Sequence, residues 1–191
     1  MVLPRALEPE VMDTEQEARD YDAMDHSQVN TRFCDDLLAV CDRLGQVLDV
    51  GTGTGLIPIE LCRRVGNVEV HTIDLAGSML ALARRNVERA GLTTRVHLSV
   101  GDAKAIRWNA PALDAVISNS LVHHIPEPEG ALSEMWRLVV RAGFSSCATL
   151  HGRRARAVRK SWSTRTRRCP TEWISRQGLG TSDSARYSRR R

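Results

Sequence analysis

The first 141 residues alternate between two hydrophobic periods. Short apolar runs that end beside glycine or acidic residues predict buried parallel strands, and apolar residues spaced three or four positions apart predict amphipathic helices. The predicted strands are 46–50, 69–74, 96–100 and 113–119, and the predicted helices are 29–44, closed by Gly45, then 54–65, 78–90 and 129–141. Strands that alternate with helices predict an α/β fold, in which a doubly wound, mostly parallel sheet is covered by helices on both faces.

This pattern ends at about residue 141. Beyond it, the only candidate element is a short strand at 147–150, and we expect the C-terminal strands of the sheet to be missing or disordered. Residues 141–191 carry 14 of the 27 Lys and Arg residues but only 2 of the 23 Asp and Glu residues, a composition that predicts disorder. We therefore divide the chain into a leading segment, 1–28, an α/β domain, 29–141, and a basic tail, 142–191.

Size and composition exclude several classes of protein. A chain of 191 residues suffices for one α/β domain. It lacks an apolar stretch of about 18 residues, and its first part is acidic from Glu8 to Asp25, so we expect no membrane span, no secretion signal and a cytoplasmic location. The five cysteines lack the paired spacing of a zinc site, so we expect neither a disulfide nor a metal ion.

A glycine-rich segment, Asp49-Val50-Gly51-Thr52-Gly53-Thr54-Gly55, joins the first predicted strand to a helix. Glycine at every second position lets the backbone turn sharply and brings its amides close to a ligand, although a tight turn without a ligand has the same composition. In a dinucleotide-binding loop the third glycine would stand one residue later, at Leu56. Asp49 would also repel a pyrophosphate, so the segment favours a cationic ligand over a nicotinamide dinucleotide.

Two further acids follow the second and third predicted strands. Asp74 comes 19 residues after Gly55, close to the ~20 expected for an acid that binds both hydroxyls of a ribose, although an acid here could also cap a helix. Asp102 stands where a carboxylate would accept a hydrogen bond from an adenine amino group, or where an ordinary turn would place one. Because the carboxyl ends of parallel strands meet at one crevice, we expect these acids and the glycine loop to face one ligand.

Taken together, these segments resemble class I S-adenosylmethionine-dependent methyltransferases, with the closest match to the small-molecule branch. The resemblance covers residues 20–141 and rests on V-L-D-V-G-T-G-T-G, the acid at 74, G-D-A at 101–103 and D-A-V-I-S-N-S-L-V-H-H-I at 114–125. It implies a Rossmann-like, seven-stranded sheet with an antiparallel end hairpin, S-adenosylmethionine as cofactor and methyl transfer as the reaction.

The resemblance also implies the residues that bind the cofactor. Asp49, Gly51, Thr52, Gly53, Thr54 and Gly55 would hold the methionine portion, Asp74 the ribose, Asp102 and Ala103 the adenine, and Asn119 would lie beside the sulfonium. Tyr21 and Asp25 lie in the leading segment, which often forms a lid. Leu75 and Met79 complete the predicted cofactor-binding set.

Methyl transfer is an in-line displacement on an activated carbon, so alignment of the reactants matters most. A general base is needed only if the acceptor must lose a proton; His123 or His124 would serve as that base or would only pack. The chain has Ser118-Asn119-Ser120-Leu121 where enzymes that methylate amide or base amino nitrogens typically carry Asn-Pro-Pro-aromatic. We therefore expect a small-molecule acceptor, and neither nucleic acid nor a membrane as partner.

The tail departs from the family pattern and leaves three interpretations open. It is a nucleic-acid-binding arm, a solvated tail, or a frame-shifted product, and the abrupt end of the pattern near Val140 favours the last. Loss of the C-terminal strands would expose the edge of the fourth strand and predicts weak or no turnover. The alternative function is a non-catalytic cofactor-binding protein whose basic tail binds RNA or a protein partner.

Overall fold

The sheet and its helices follow the predicted order. The structure, a computed structural model, describes residues 11, 13–39, 41, 43–108, 113–141, 146–150 and 158–159. The helices are α1 (Glu15–Asp22), α2 (Ser27–Leu38), α3 (Leu56–Arg64), α4 (Gly77–Arg89) and α5 (Pro128–Arg141). The strands are β1 (Gln46–Val50), β2 (Glu69–Asp74), β3 (Val96–Val100), β4 (Ala115–Asn119), β5 (Ser146–Leu150) and β6 (Val158–Arg159).

These six strands form one sheet in the order β3-β2-β1-β4-β5-β6. The first five are parallel, and β6 runs antiparallel to β5. Two hydrophobic clusters cover its faces: Val47 and Val70 pack in a cluster with residues of α2 and α3, whereas Leu48 and Val116 pack in a cluster with residues of α5. The predicted α/β fold with a mostly parallel sheet is therefore confirmed.

The first predicted helix, 29–44, extends beyond the observed one. Helix α2 ends at Leu38, where the amide of the C-cap residue Ala39 donates to the carbonyl of Asp35, so Gly45 does not close it. Gly45 instead precedes β1, and its amide donates to Asp114 Oδ2 at 2.7 Å. The apolar residues Cys41 and Leu44 continued the helical spacing because they are buried in the connection rather than in the helix.

Helix α1 lies in the leading segment and was not predicted. A reciprocal capping pair begins it: the Glu17 amide donates to Thr14 Oγ1 at 3.2 Å, and the Thr14 amide donates to Glu17 Oε2 at 3.2 Å. The pair satisfies two amides that a helix start leaves without partners. Only Ala18 of this helix is buried, so the helix carries too few apolar residues to show a hydrophobic period.

The short strand predicted at 147–150 is present as β5. It pairs with β4 from Val116↔Cys147 to Asn119↔Leu150 and covers the edge of β4 that we expected to be exposed. The basic runs at 153–156, 165–168 and 189–191 lie outside the described residues. The three interpretations of the tail therefore remain predictions.

In the part of the chain that the structure describes, no helix is long and apolar enough to cross a membrane.

Cys34, Cys41 and Cys62 are buried in the hydrophobic cluster that packs against α2 and α3. Arg95 closes the C-terminal end of α3, because its guanidinium donates to the carbonyls of Cys62, Val65 and Gly66 at 2.7–2.9 Å. Arg95 therefore fixes the end of α3 relative to the start of β3, next to the core from which the strand-end loops extend.

Candidate functional site

The glycine loop between β1 and α3 is a tight, left-handed turn. Gly51 has φ +78°, and a Cβ there would come within 2.9 Å of Leu121 Cδ1. Gly55 has φ +79°, and a Cβ there would lie 3.2 Å from the Cβ of Ala83 on α4. Glycine is required at both positions, but for different reasons: Gly51 lets the loop approach the segment after β4, and Gly55 lets α3 approach α4.

Asp74, the last residue of β2, holds this loop in place. Its Oδ2 accepts the amide of Gly53 at 2.7 Å, and its Oδ1 accepts the amide of Ala76 at 2.9 Å. Burial raises the pKa of Asp74, and the two amides partly oppose that rise. The carboxylate therefore acts both as the cap of the turn before α4 and as a fixed negative group beside the loop.

Asp49 lies beneath the glycine loop and is almost fully buried, with a side-chain Oδ2 that has no hydrogen-bond partner. Burial raises its pKa to about 7, and the nearby charge of Asp74 adds to the rise. Asp49 is therefore only partly ionised at neutral pH, and a cationic ligand would favour its charged form beside Asp74.

The loop, β2 and β4 open onto a cavity of about 530 Å³ at the carboxyl ends of the strands. This volume is in the range of small-molecule sites. The predicted site residues that line it are Tyr21, Gly51, Gly53, Asp74, Leu75, Met79, Asp102, Ala103, Asn119, His123 and His124. The structure does not bring Asp49, Thr52, Thr54 or Gly55 to the cavity wall: three of these side chains are buried below the loop, and Gly55 packs against α4.

Helix α1 and the residues after it form one wall of the cavity. The ring of His26 stacks on Tyr21 at 4.4 Å between centroids, and a His26 ring nitrogen lies 2.9 Å from the Tyr21 carbonyl. Burial raises the pKa of the Tyr21 phenol, and the charges of Asp49 and Asp74 raise it further. Tyr21 is therefore a neutral hydroxyl close to two carboxylates.

Two contacts anchor this wall to α4. Asp13 Oδ1 accepts both the amide and the hydroxyl of Ser78, at 3.0 and 3.1 Å. The side-chain amide of Asn86 donates to Asp22 Oδ1 at 2.8 Å and to the Thr54 carbonyl at 3.1 Å. Asn86 thus connects the leading segment, α4 and the glycine loop.

The opposite wall comes from the segments after β3 and β4. Asp102 Oδ1 accepts the amide of Lys104 at 2.8 Å and lies 3.3 Å from the Lys104 ammonium. Ser120 follows Asn119 with φ +58°, a left-handed conformation that is uncommon outside glycine. Such backbone strain is typical of functional sites, where the surrounding structure has to hold it. His123 and His124 face each other with ring centroids 4.0 Å apart.

Several cavity residues were not identified from the sequence. They are Val11, Met24, His26, Val29, Asn30, Val50, Ile73, Ala76, Gly101, Lys104, Ser120, Leu121 and Ile125. Most are direct neighbours of predicted residues, so the strand ends themselves were the available signal. Val11, Met24, His26, Val29 and Asn30 come instead from the leading segment and α2, where the sequence carries no comparable motif.

A family profile described as a methyltransferase domain matches residues 47–143, just over half of the chain. Among curated relatives, the phosphatidylethanolamine N-methyltransferase of Cereibacter sphaeroides is 40% identical over 102 residues, which covers 53% of this chain and 48% of that protein. The demethylmenaquinone methyltransferase of Thermus thermophilus is 36% identical over 98 residues, covering 51% of this chain and 44% of that protein. The matched region thus spans less than half the length of these relatives.

Solved structures share the fold at low sequence identity. A Methanococcus maripaludis protein assigned to the S-adenosyl-L-methionine-dependent methyltransferases superimposes with a TM-score of 0.63 at 18% identity, over 78% of this chain and 68% of that chain. The magnesium protoporphyrin IX methyltransferase of Synechocystis, solved with bound S-adenosylhomocysteine, gives a TM-score of 0.53 at 19% identity, over 65% of this chain and 54% of that chain. The family match begins in β1 and runs through the glycine loop, the acids at the strand ends and α5, so the chain belongs to the class I S-adenosylmethionine-dependent methyltransferases.

Proposed function

We propose that the chain binds S-adenosylmethionine in the cavity at the carboxyl ends of the strands and transfers its methyl group to a small-molecule acceptor. The observation that carries the proposal is that Gly51, Gly53, Asp74, Asp102 and Asn119 line this one cavity, with Asp49 buried beneath the glycine loop. The cofactor is cationic at sulfur, and Asp49 and Asp74 supply negative charge under and beside the loop. Gly53, with φ +55° and Tyr21 at 3.7 Å from a notional Cβ, leaves the loop open toward the cavity.

Each part of the cofactor has a candidate partner. The loop residues Asp49 to Gly55 would hold the methionine portion. Asp74 lines the cavity, and its oxygens, which accept the amides of Gly53 and Ala76, would also accept hydrogen bonds from the ribose hydroxyls. Asp102 and Ala103 would contact the adenine, and Asn119 would lie beside the sulfonium. Leu75 and Met79 would supply apolar contacts, since both line the cavity.

The chemistry needs little from the protein beyond alignment. S-adenosylmethionine supplies an electrophilic methyl group on a positively charged sulfur. Tyr21 and His26 line the cavity on one side and would exclude water from that centre, and Asn119 and Ser120 line it where an acceptor would approach. Where the acceptor atom carries a proton, His123 or His124 is within the same cavity to accept it.

We infer that the acceptor has an apolar part. Met24 and Val29, each 59% exposed, line the same cavity as the predicted cofactor residues, and so does Leu75, which is 44% exposed. Two relatives are named for phosphatidylethanolamine and demethylmenaquinone, both small molecules with large apolar portions. Exposed apolar side chains that line a cavity are typical of a ligand contact.

Cofactor binding is tested first, by calorimetric titration of the full chain with S-adenosylhomocysteine and, as a negative control, NADH. We expect micromolar binding of S-adenosylhomocysteine alone. The Asp74→Ala variant should lose at least tenfold in affinity, and Glu88→Ala, which removes an exposed carboxylate from α4, should bind like the wild type. A chain that is folded by circular dichroism and binds neither compound would refute the cofactor assignment.

Turnover is tested separately, by release of S-adenosylhomocysteine in the presence of candidate acceptors. Ethanolamine phospholipid, a demethylated menaquinol and a short amine without an apolar chain form an informative series. The proposal expects turnover with one of the apolar acceptors and its loss in the Met24→Ser, Val29→Ser double variant at unchanged affinity for S-adenosylhomocysteine. Turnover with the short amine alone would refute the apolar acceptor and leave the methyltransferase assignment intact.

A further inference from the structure

A second group of polar side chains lies at the other end of the strands. Glu69 and His71 are two residues apart on β2 and therefore point to the same face of the sheet. His97 on β3 is the register partner of His71. One ligand atom from each of these three residues lies within 4.8 Å of the other two.

The ligand atoms are somewhat farther apart than they would be around a bound metal ion, and one pair is close to that spacing. Bonds of 2.0–2.1 Å at tetrahedral angles put neighbouring ligand atoms about 3.4 Å apart. His97 Nε2 is 3.8 Å from Glu69 Oε2, so this pair would close around an ion with a movement of a few tenths of an ångström. The side chains stand on two paired strands of a sheet, and hydrogen bonds between those strands fix their spacing.

Gln46 on β1 adds a fourth potential donor atom, its amide oxygen. Its Oε1 lies 2.9 Å from His71 Nε2, and its Nε2 donates to Glu69 Oε2 at 3.1 Å. The rings of His71 and His97 stack at 4.8 Å, and Trp108 contacts His71 edge-on at 5.0 Å, so neighbouring rings restrict both imidazoles. The cluster thus offers two imidazoles, one carboxylate and one amide oxygen from three adjacent strands.

We propose that Glu69, His71 and His97 bind a divalent transition-metal ion such as Zn²⁺, with the Gln46 amide oxygen or water in the fourth position. Two imidazoles and a carboxylate form a donor set that suits zinc and its neighbours in the first row rather than Mg²⁺ or Ca²⁺. The ion has a structural role: Glu69 and His71 lie about 16 and 10 Å along β2 from Asp74, which lines the cofactor cavity. It joins β2 to β3 near the edge of the sheet.

Titration of the full chain with Zn²⁺, free of chelator, tests this site. We expect one ion per chain at micromolar affinity or tighter, and a rise in Tm of about 5 °C or more at saturating metal. The His71→Gln, His97→Gln double variant should lose both effects. The matched control is His123→Gln, His124→Gln, which removes the other adjacent histidine pair and should leave zinc binding unchanged.

Glu69→Gln provides a second variant, because this half-exposed residue can change without disturbing the core. It should weaken Zn²⁺ binding at least tenfold while the circular dichroism spectrum and the affinity for S-adenosylhomocysteine stay the same. Absence of zinc binding by the folded wild type would overturn the proposal. So would zinc binding that persists in the His71→Gln, His97→Gln variant, because the ion would then be held elsewhere. Neither result bears on the cofactor cavity.

Discussion

Replacement of Asp49 by asparagine removes a buried carboxylate whose Oδ2 accepts no hydrogen bond. Burial raises its pKa to about 7, whereas an aspartate in an unfolded chain has a pKa near 3.9. The folded protein therefore binds this proton more tightly than the unfolded chain does. The stability that results is fully present below about pH 4 and is lost as the pH rises through 7.

The size of the effect follows from the difference of about 3 pKa units, each worth 1.36 kcal/mol. At pH 8, where Asp49 is ionised in both states, its burial lowers the free energy of unfolding by about 4 kcal/mol. At pH 5, where Asp49 is protonated in the folded protein but largely ionised in the unfolded chain, the cost is only about 1 to 2 kcal/mol. The asparagine side chain is almost isosteric with aspartate and has no proton to lose. The difference in stability between the variant and the wild type should therefore shift in favour of the variant by about 3 kcal/mol from pH 5 to pH 8.

Urea unfolding followed by circular dichroism at pH 5, 6, 7 and 8 measures this difference. Any fixed cost of the new amide is the same at each pH. The change with pH in the difference between the free energies of unfolding of the two proteins is therefore decisive, rather than the size of that difference at any one pH. Asp20→Asn, on the exposed side of α1, controls for the loss of a carboxylate from the chain. A difference between Asp49→Asn and the wild type that stays constant from pH 5 to pH 8 would refute the reasoning.

Three further predictions concern the same framework. Affinity for S-adenosylmethionine should rise between pH 6 and pH 8, because a cationic ligand favours ionised Asp49, and calorimetry in two buffers should detect the released proton; a flat profile would contradict this. Gly55→Ala should lower the free energy of unfolding by about 1–3 kcal/mol, since the new methyl meets Ala83 at positive φ, and Ala83→Gly should restore only part of it. Asp114→Ala should cost about 2 kcal/mol in urea unfolding, because the amides of Gly45 and Gln46 lose their acceptor; an unchanged midpoint would contradict that assignment.

The sheet could be predicted because its strands are short apolar runs that end at glycine or acid. The predicted ranges for β1, β2 and β3 coincide with the structure, and the acids at the ends of β2 and β3 identified the cavity. Helix boundaries were less accurate: Cys41 and Leu44 are buried after α2 ends, so burial alone extended the predicted helix.

The parts that could not be predicted depend on contacts between distant residues. Nothing in the spacing of Glu69, His71 and His97 indicates a cluster, because His97 joins it only through the pairing of β2 with β3. The close approach of Gly55 to Ala83 could not be predicted either, because in the sequence Gly55 is part of a motif typical of a ligand-binding loop. The sequence predicted a short strand at 147–150 but not its pairing with β4, which is again a contact between distant residues.

The hydrogen bonds between the leading segment and α4 determine how large a fraction of molecules has an open cavity. To remove the wall formed by Tyr21, the chain has to break the contacts of Asp13 with Ser78 and of Asp22 with Asn86. At about 1 kcal/mol for each of three hydrogen bonds, the open form is on the order of 1% of molecules. If the chain turns over as proposed and the product leaves through this opening, a first turnover should run ahead of the steady rate as a burst, and weakening of either anchor should shorten the residence time of the product.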